Sequence, residues 1–369
     1  MALCELLALA AVIPAAAQTG VSPAAQTSAP TAGATARSSE VIDEAGRRVT
    51  IPAEVRRIVS LAPSLTETVY ALELQDRLVG NTDYCDYPPQ AQTKAHVGGP
   101  MNPNLEQIVS LHPDLVLATR QGNRLETVEA LTRLGLAVYA TDPKSVEEVI
   151  ESARRLGAVL GVPERGEALA AGLHARLEQI RRRVSAQPAR RVFFVVWPDP
   201  LISIGKNTFL ADALRWAGAE SVVETTQDWP RVSIEEVMRQ QPEYLVLSSA
   251  HFEEASRTVE ELRERAGWRS LDALRERRVA VVSDAVNRPS PRLVDVIEQL
   301  ARRLHPEAFD PDPEKGKSKF ANRNSKFTAA RPAGFLAKVN FDSRFSNFAF
   351  GSSPGLSAEA AREVTPCAR

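Results

Sequence analysis

One spacing occurs twice in this chain and constrains the fold more than any other feature. Leu105-Glu106-Gln107-Ile108 leads to Pro113-Asp114-Leu115-Val116-Leu117, and Ile234-Glu235-Glu236-Val237 leads to Pro242-Glu243-Tyr244-Leu245-Val246. Glu106 precedes Pro113 by seven residues, and Glu235 precedes Pro242 by the same seven. Each copy reads as a short helix with a carboxylate in its first turn, running through proline into a buried strand. A duplicated unit of this kind calls for two similar lobes.

The surrounding pattern agrees. Apolar runs at Arg57 to Leu61, Leu78 to Val79, Asp114 to Ala118 and Ala137 to Ala140 alternate with helical spacings at Ser64 to Leu74 and Leu105 to Leu111. A second series has strands at Arg191 to Trp197, Tyr244 to Ser248 and Arg278 to Val282, with helices at Asn207 to Ala217, Ile234 to Gln240 and Ser290 to Leu304. Such ordering predicts an α/β protein whose lobes hold mostly parallel sheets flanked by helices. Val41 to Ile51, two apolar runs around Gly46, predicts a hairpin ahead of the first lobe.

Between the two series, Ser145 to Gly161 and Pro163 to Gln187 read as helices. The second carries Leu169, Leu173, Leu177, Ile180 and Val184 at spacings of three and four. A helix of about 24 residues is about 36 Å long, enough to cross from one lobe to the other. The expected organisation is therefore an N-terminal lobe over 40–144, a connecting helical segment over 145–188 with one long helix as the joint, and a C-terminal lobe over 189–308. A stiff connector lets lobes rock and resists wide opening.

Both ends differ in character. Leu6 to Ala17 is a short apolar stretch finishing in Ala15-Ala16-Ala17, which predicts a signal peptide over 1–17 and hence export, although Met1 to Glu5 lacks the usual basic residue. Residues 18–39 are an Ala/Ser/Thr/Pro linker, and 309–369, with Pro311, Pro313 and scattered phenylalanines, read as a disordered tail. Cys85 and Cys367 remain after cleavage in unrelated contexts, so no disulfide framework is expected. With 45 basic and 46 acidic residues and a formal charge of −1, the chain offers no basic stripe for nucleic acid. It reads as a monomer without a resident cofactor or metal.

Ile58-Val59-Ser60-Leu61-Ala62-Pro63-Ser64-Leu65-Thr66-Glu67, the run Asp83-Tyr84-Cys85-Asp86-Tyr87-Pro88-Pro89-Gln90-Ala91, and the two repeat copies together resemble the cobalamin-type periplasmic binding proteins of ABC importers. The resemblance covers roughly Val41 to Leu304. It implies two lobes joined by a long helix, a periplasmic location, and a large ring-shaped ligand held between the lobes. It also implies an inner-membrane permease and its ATPase as partners, with Glu106 and Glu235 docking on permease arginines. Tyr84 and Trp229 match ligand-stacking aromatics, and Asp284 and Arg288 match polar cleft residues. Where cobalamin binders carry further tryptophans this chain has Pro100 and Thr119; Trp197 and Met101 are candidates to refill the cleft, Trp197 being equally readable as core. A haem or ferric-siderophore ligand is the alternative, with Tyr84, Tyr87 or His96 as the metal-facing group.

Enzyme motifs are not found. Gly205-Lys206-Asn207-Thr208 resembles the end of a phosphate loop, yet Pro200 stands where the first glycine belongs. No Gly-x-Ser-x-Gly elbow is present. His96, His112, His174, His251 and His305 are scattered, without a pair at ligand spacing.

Overall fold

A computed structural model describes residues 38–248 and 255–309. The signal-peptide expectation, nearly all of the linker, and the tail from residue 310 lie outside the described residues. The chain opens with a hairpin of β1 (Ser39–Ile42) and β2 (Arg48–Ile51), so Ser39, read as linker, is already strand. There follow β3 (Ile58–Ser60), α1 (Pro63–Ala71), β4 (Leu78–Asn81), β5 (Ala95–His96), α2 (Leu105–Ser110), β6 (Leu115–Thr119), α3 (Leu125–Arg133) and β7 (Val138–Thr141). Helices α4 (Val146–Val159) and α5 (Pro163–Val184) lead to β8 (Arg190–Val195), β9 (Trp197–Pro198), β10 (Leu201–Ile202), α6 (Phe209–Trp216), β11 (Ala219–Ser221), α7 (Ile234–Gln240) and β12 (Tyr244–Ser248). The remainder is α8 (Ala255–Glu264), α9 (Asp272–Arg275), β13 (Val279–Val282), α10 (Leu293–Leu304) and α11 (Pro306–Phe309).

Two parallel sheets result. One has the order β5-β4-β3-β6-β7 and the other β11-β8-β12-β13. Superimposing the orders matches β3 with β8, β4 with β11, β6 with β12 and β7 with β13. The sequence repeat is thus a repeat of topology, with α2–β6 equivalent to α7–β12. In each sheet the first strand is central, β3 between β4 and β6 and β8 between β11 and β12, so each has a crevice at the strand carboxyl ends where α/β proteins bind ligands.

Strand alternation builds a core on each face of each sheet. In β8, Val192 and Phe194 join one cluster with α5, α6 and α10, while Phe193 and Val195 join another with α7 and Trp268. In the first sheet, Ile58, Leu115 and Leu117 pack on α1, whereas Val59, Val116 and Ala118 pack on α2 and α3. All these side chains are at most 4% exposed.

The connector is more than one rod. Helix α5 spans 22 residues, about 33 Å, and α4 packs alongside it. Val146, Val149 and Ile150 of α4 belong to the core of the second lobe, and Leu156 to that of the first. Leu169 of α5 touches both cores. The two helices cross at glycines: a Cβ on Gly157 would lie 2.7 Å from Gly166 Cα. Arg165 at the start of α5 donates to the Leu72 carbonyl in the first lobe (3.2 Å), and Arg176 further along pairs with Asp295 in the second (2.7 Å).

The expected strand Arg191 to Trp197 divides. Pro198 and Pro200 cannot donate to a ladder, and after Val195 the chain turns back as the small β9–β10 hairpin, with Trp197 opposite Ile202.

Candidate functional site

The loops that follow the strand carboxyl ends meet between the lobes. Glu67 in the second turn of α1, after β3, is the centre of that meeting. Its side chain is 1% exposed. One oxygen accepts from Arg288 Nη1 (2.9 Å) and Arg292 Nη1 (3.0 Å), and the other from Ser290 Oγ (2.6 Å). Asp86, in the loop after β4, accepts from Arg288 at 2.7 Å, and Asp284 pairs with the same guanidinium at 3.1 Å. Arg292 also lies over the Tyr87 ring, 3.5 Å from its centroid. Burial alone would lower the Arg288 pKa, but the carboxylates of Asp86 and Glu67 outweigh it and hold the guanidinium above its ordinary value, fully charged. The start of α4 is tied to the second lobe by a bond from the Val146 amide to Asp212 of α6 (2.8 Å).

The expected ligand residues likewise follow strand ends, Tyr84 after β4, Trp197 after β8, Trp229 after β11, and Asp284 and Arg288 after β13. Tyr84, in the loop after β4, is 54% exposed and lies beside Gly99, where a Cβ would meet its ring at 3.6 Å. Trp229 is half-buried against the second lobe's core. Its loop is clamped by backbone bonds from Ser203 to Pro230 (3.0 Å), Gly205 to Asp228 (2.9 Å) and Lys206 to Thr225 (2.9 Å). Gly205 permits the approach, since a Cβ there would sit 1.9 Å from the Gln227 carbonyl oxygen. The Gly205-Lys206-Asn207-Thr208 run is therefore a bed for the Trp229 loop, with Thr208 capping α6 through the Ala211 amide (3.2 Å). Trp197 is half-buried and its indole donates to the Asp199 carbonyl (2.8 Å). Asp284 and Arg288 are brought together as an ion pair; Tyr84 and Trp229 share no ring contact among the described residues.

Thr119 is buried and Pro100 half-buried. Asn123 ties their loops together, donating to the Leu61 and Pro100 carbonyls (both 2.9 Å) and accepting from the Thr119 amide (2.8 Å). Cys85 is a buried free thiol within 3.2 Å of Thr66 and Thr82 hydroxyls, and burial pushes its pKa up. His96 lies 3.1 Å from the Gln92 carbonyl and 3.6 Å from Asp83. Among the described residues no group of three His, Cys, Asp or Glu is placed to hold a metal ion, and no helix is long and apolar enough to cross a membrane.

Glu106 and Glu235 are exposed, each in the first turn of its helix. In a parallel α/β unit the helix begins at the strand-carboxyl edge, so both stand on the rim where the lobes meet. Asn104 caps α2 through the Gln107 amide (3.0 Å) and Ser233 caps α7 through the Glu236 amide (3.2 Å). Both helices are followed by a left-handed residue before the proline, His112 (φ 45°) and Gln241 (φ 41°). Arg57 binds the Leu111 carbonyl at the end of α2 (2.7 Å), and Arg191 binds the Gln240 carbonyl at the end of α7 (2.8 Å). Neither Glu106 nor Glu235 has a hydrogen bond or ion pair among the described residues, whereas the adjacent Glu236 is held by Arg239 at 2.6 Å.

Residues 58–285 match the Periplasmic binding protein family, and the chain belongs to it. It is similar to the uncharacterized ABC transporter substrate-binding lipoprotein YvrC of Bacillus subtilis, 32% identical over 277 residues, covering 73% of this chain and 86% of that protein. The crystal structure of the periplasmic vitamin B12 binding protein BtuF of Vibrio cholerae aligns with TM-score 0.60 and 29% identity over 69% of this chain and 98% of that one. The apo periplasmic haem-binding protein RhuT of Roseiflexus sp. RS-1 aligns with TM-score 0.61 and 25% identity over 69% and 99%.

Proposed function

We propose that this chain is an extracytoplasmic solute-binding protein that takes cobalamin or a related corrinoid between its lobes and hands it, unaltered, to an ABC permease driven by its ATPase. The observation that carries the reading is the convergence of both sheets' strand-carboxyl loops, one bearing the exposed ring of Tyr84 and another the half-buried ring of Trp229 on a clamped backbone. A flat macrocycle offers broad apolar faces, and each stacked ring adds about 0.5 to 1.5 kcal/mol beyond its buried area. The likeness to a vitamin B12 binding protein supports the ligand class.

A second reading, a haem or ferric-siderophore binder, is supported by the likeness to a haem-binding protein and by Tyr84, whose phenol stands exposed on the rim. Tyr87 suits that role less, its ring being occupied by Arg292. The rim glutamates Glu106 and Glu235 serve as the permease contacts in either reading, held in place by the capped helices beneath them.

Titrating the purified protein with cobalamin, haem and a ferric siderophore, read by tryptophan fluorescence, tests the assignment. Saturable quenching by cobalamin that weakens by about 1 to 3 kcal/mol in Trp229→Ala is expected. Saturation by haem or the siderophore alone would move the assignment to the second reading, and chemical change of any of them would replace binding by catalysis.

A further inference from the structure

We infer that Glu67 is a positioning residue that fixes the spacing of the two lobes before any ligand arrives. A carboxylate taken out of water is costly unless fully paired, and the three side-chain donors to Glu67 all come from a five-residue stretch of the opposite lobe, Arg288, Ser290 and Arg292. No donor side chain of its own lobe shares the task among the described residues.

The junction has a direction as well as a charge. Ser290 is fully buried, and its hydroxyl reaches one carboxylate oxygen at 2.6 Å while the guanidinia hold the other. Apolar surfaces in contact can slide, but bonds of fixed length to both oxygens of one buried group admit one separation and one rotation of the lobes. Asp86 and the Tyr87 ring brace Arg288 and Arg292 from the first lobe's second loop, so that lobe grips both cations from two elements. The α4–α5 pair resists wide opening from one side of the molecule, and this junction closes the remaining freedom across the loops. A cleft whose walls are already set loses little order when a ligand enters.

The inference rests on the two-lobed fold and not on which ligand is bound, so its test needs no ligand and can fail while the corrinoid reading stands. Spin labels at Glu129→Cys in α3 and Arg239→Cys in α7, on a background with Cys4, Cys85 and Cys367 changed to serine, report the interlobe distance by pulsed dipolar spectroscopy. Ligand-free protein is expected to give one narrow distance peak. Glu67→Gln, which keeps the shape but sets an amide against two cations, should lose that narrow peak and move to longer distances. Arg288→Gln with Arg292→Gln should do the same from the other lobe, without touching the buried helix. Glu67→Asp, which keeps the charge, should retain more of the narrow peak than Glu67→Gln. A broad distribution in the unaltered ligand-free protein, an unchanged narrow peak in both Glu67→Gln and the arginine double variant, or equal broadening in Glu67→Asp and Glu67→Gln would overturn the inference.

Discussion

Replacing both Glu106 and Glu235 by alanine should separate delivery from capture. Within the protein each carboxylate interacts only with the positive end of its own helix, worth about 0.3 to 1 kcal/mol, because neither has a bonded partner among the described residues. The double variant should therefore lose no more than about 2 kcal/mol of stability and keep its affinity for ligand. Against a permease that presents arginines the arithmetic is different. Truncating one member of a desolvated, hydrogen-bonded charge pair costs about 2 to 5 kcal/mol, much of it from the cation left behind. Two such sites on separate lobes add to about 4 to 10 kcal/mol, which is about a thousand-fold or more in affinity. The assay is ligand-loaded protein binding to the permease–ATPase complex in nanodiscs, with ligand affinity and melting temperature measured in parallel. Glu236→Ala is the control, because that side chain is already committed to Arg239 and Gln240 of its own helix. Permease affinity that survives the double change, or falls equally in Glu236→Ala, would refute the reasoning.

Two further outcomes follow from the geometry. Gly205→Ala places a methyl group 1.9 Å from a backbone oxygen of the Trp229 loop; overpacking of this kind costs about 1 to 3 kcal/mol, so the melting temperature and cobalamin affinity should both fall, and an unchanged melting temperature would contradict the clamp. Desolvation by burial raises the Glu44 pKa, with the Asp142 amide opposing it; a carboxyl whose folded pKa is raised favours the fold below its unfolded pKa and loses that contribution as pH rises through the folded value. Denaturant titrations at about pH 4 and about pH 7 should thus show the unaltered protein losing more stability, or gaining less, than Glu44→Gln over that rise, and equal changes would contradict it.

The repeat was readable because its parts are local. A first-turn carboxylate and a proline at a fixed offset specify helix, turn and strand within about a dozen residues, and the structure carries the correspondence down to His112 and Gln241 in the same left-handed conformation. The two helices of the connector were readable from their spacing, but their shared burial in both cores was not, since it depends on the glycine crossing at Gly157 and Gly166. The Trp197 segment misled because five apolar residues run into Trp197, and only the prolines beyond it divert the chain into a hairpin. The Glu67 junction gave no signal at all: Glu67 lies 221 and 225 residues from its arginine partners, and a threonine–glutamate pair in an amphipathic helix reads as an ordinary exposed turn. Asn123 escaped for the same reason, two of its three bonds reaching Leu61 and Pro100 in loops distant in sequence.

Hydrogen exchange of the protein with and without cobalamin tests the central claim most directly, because it shows where the ligand sits without presuming any side chain's role. Slowed exchange concentrated in the loops at 82–88, 222–230 and 283–292, on both lobes at once, is the expected result. Protection confined to one lobe, or none at saturating cobalamin, would contradict capture of a corrinoid between the lobes.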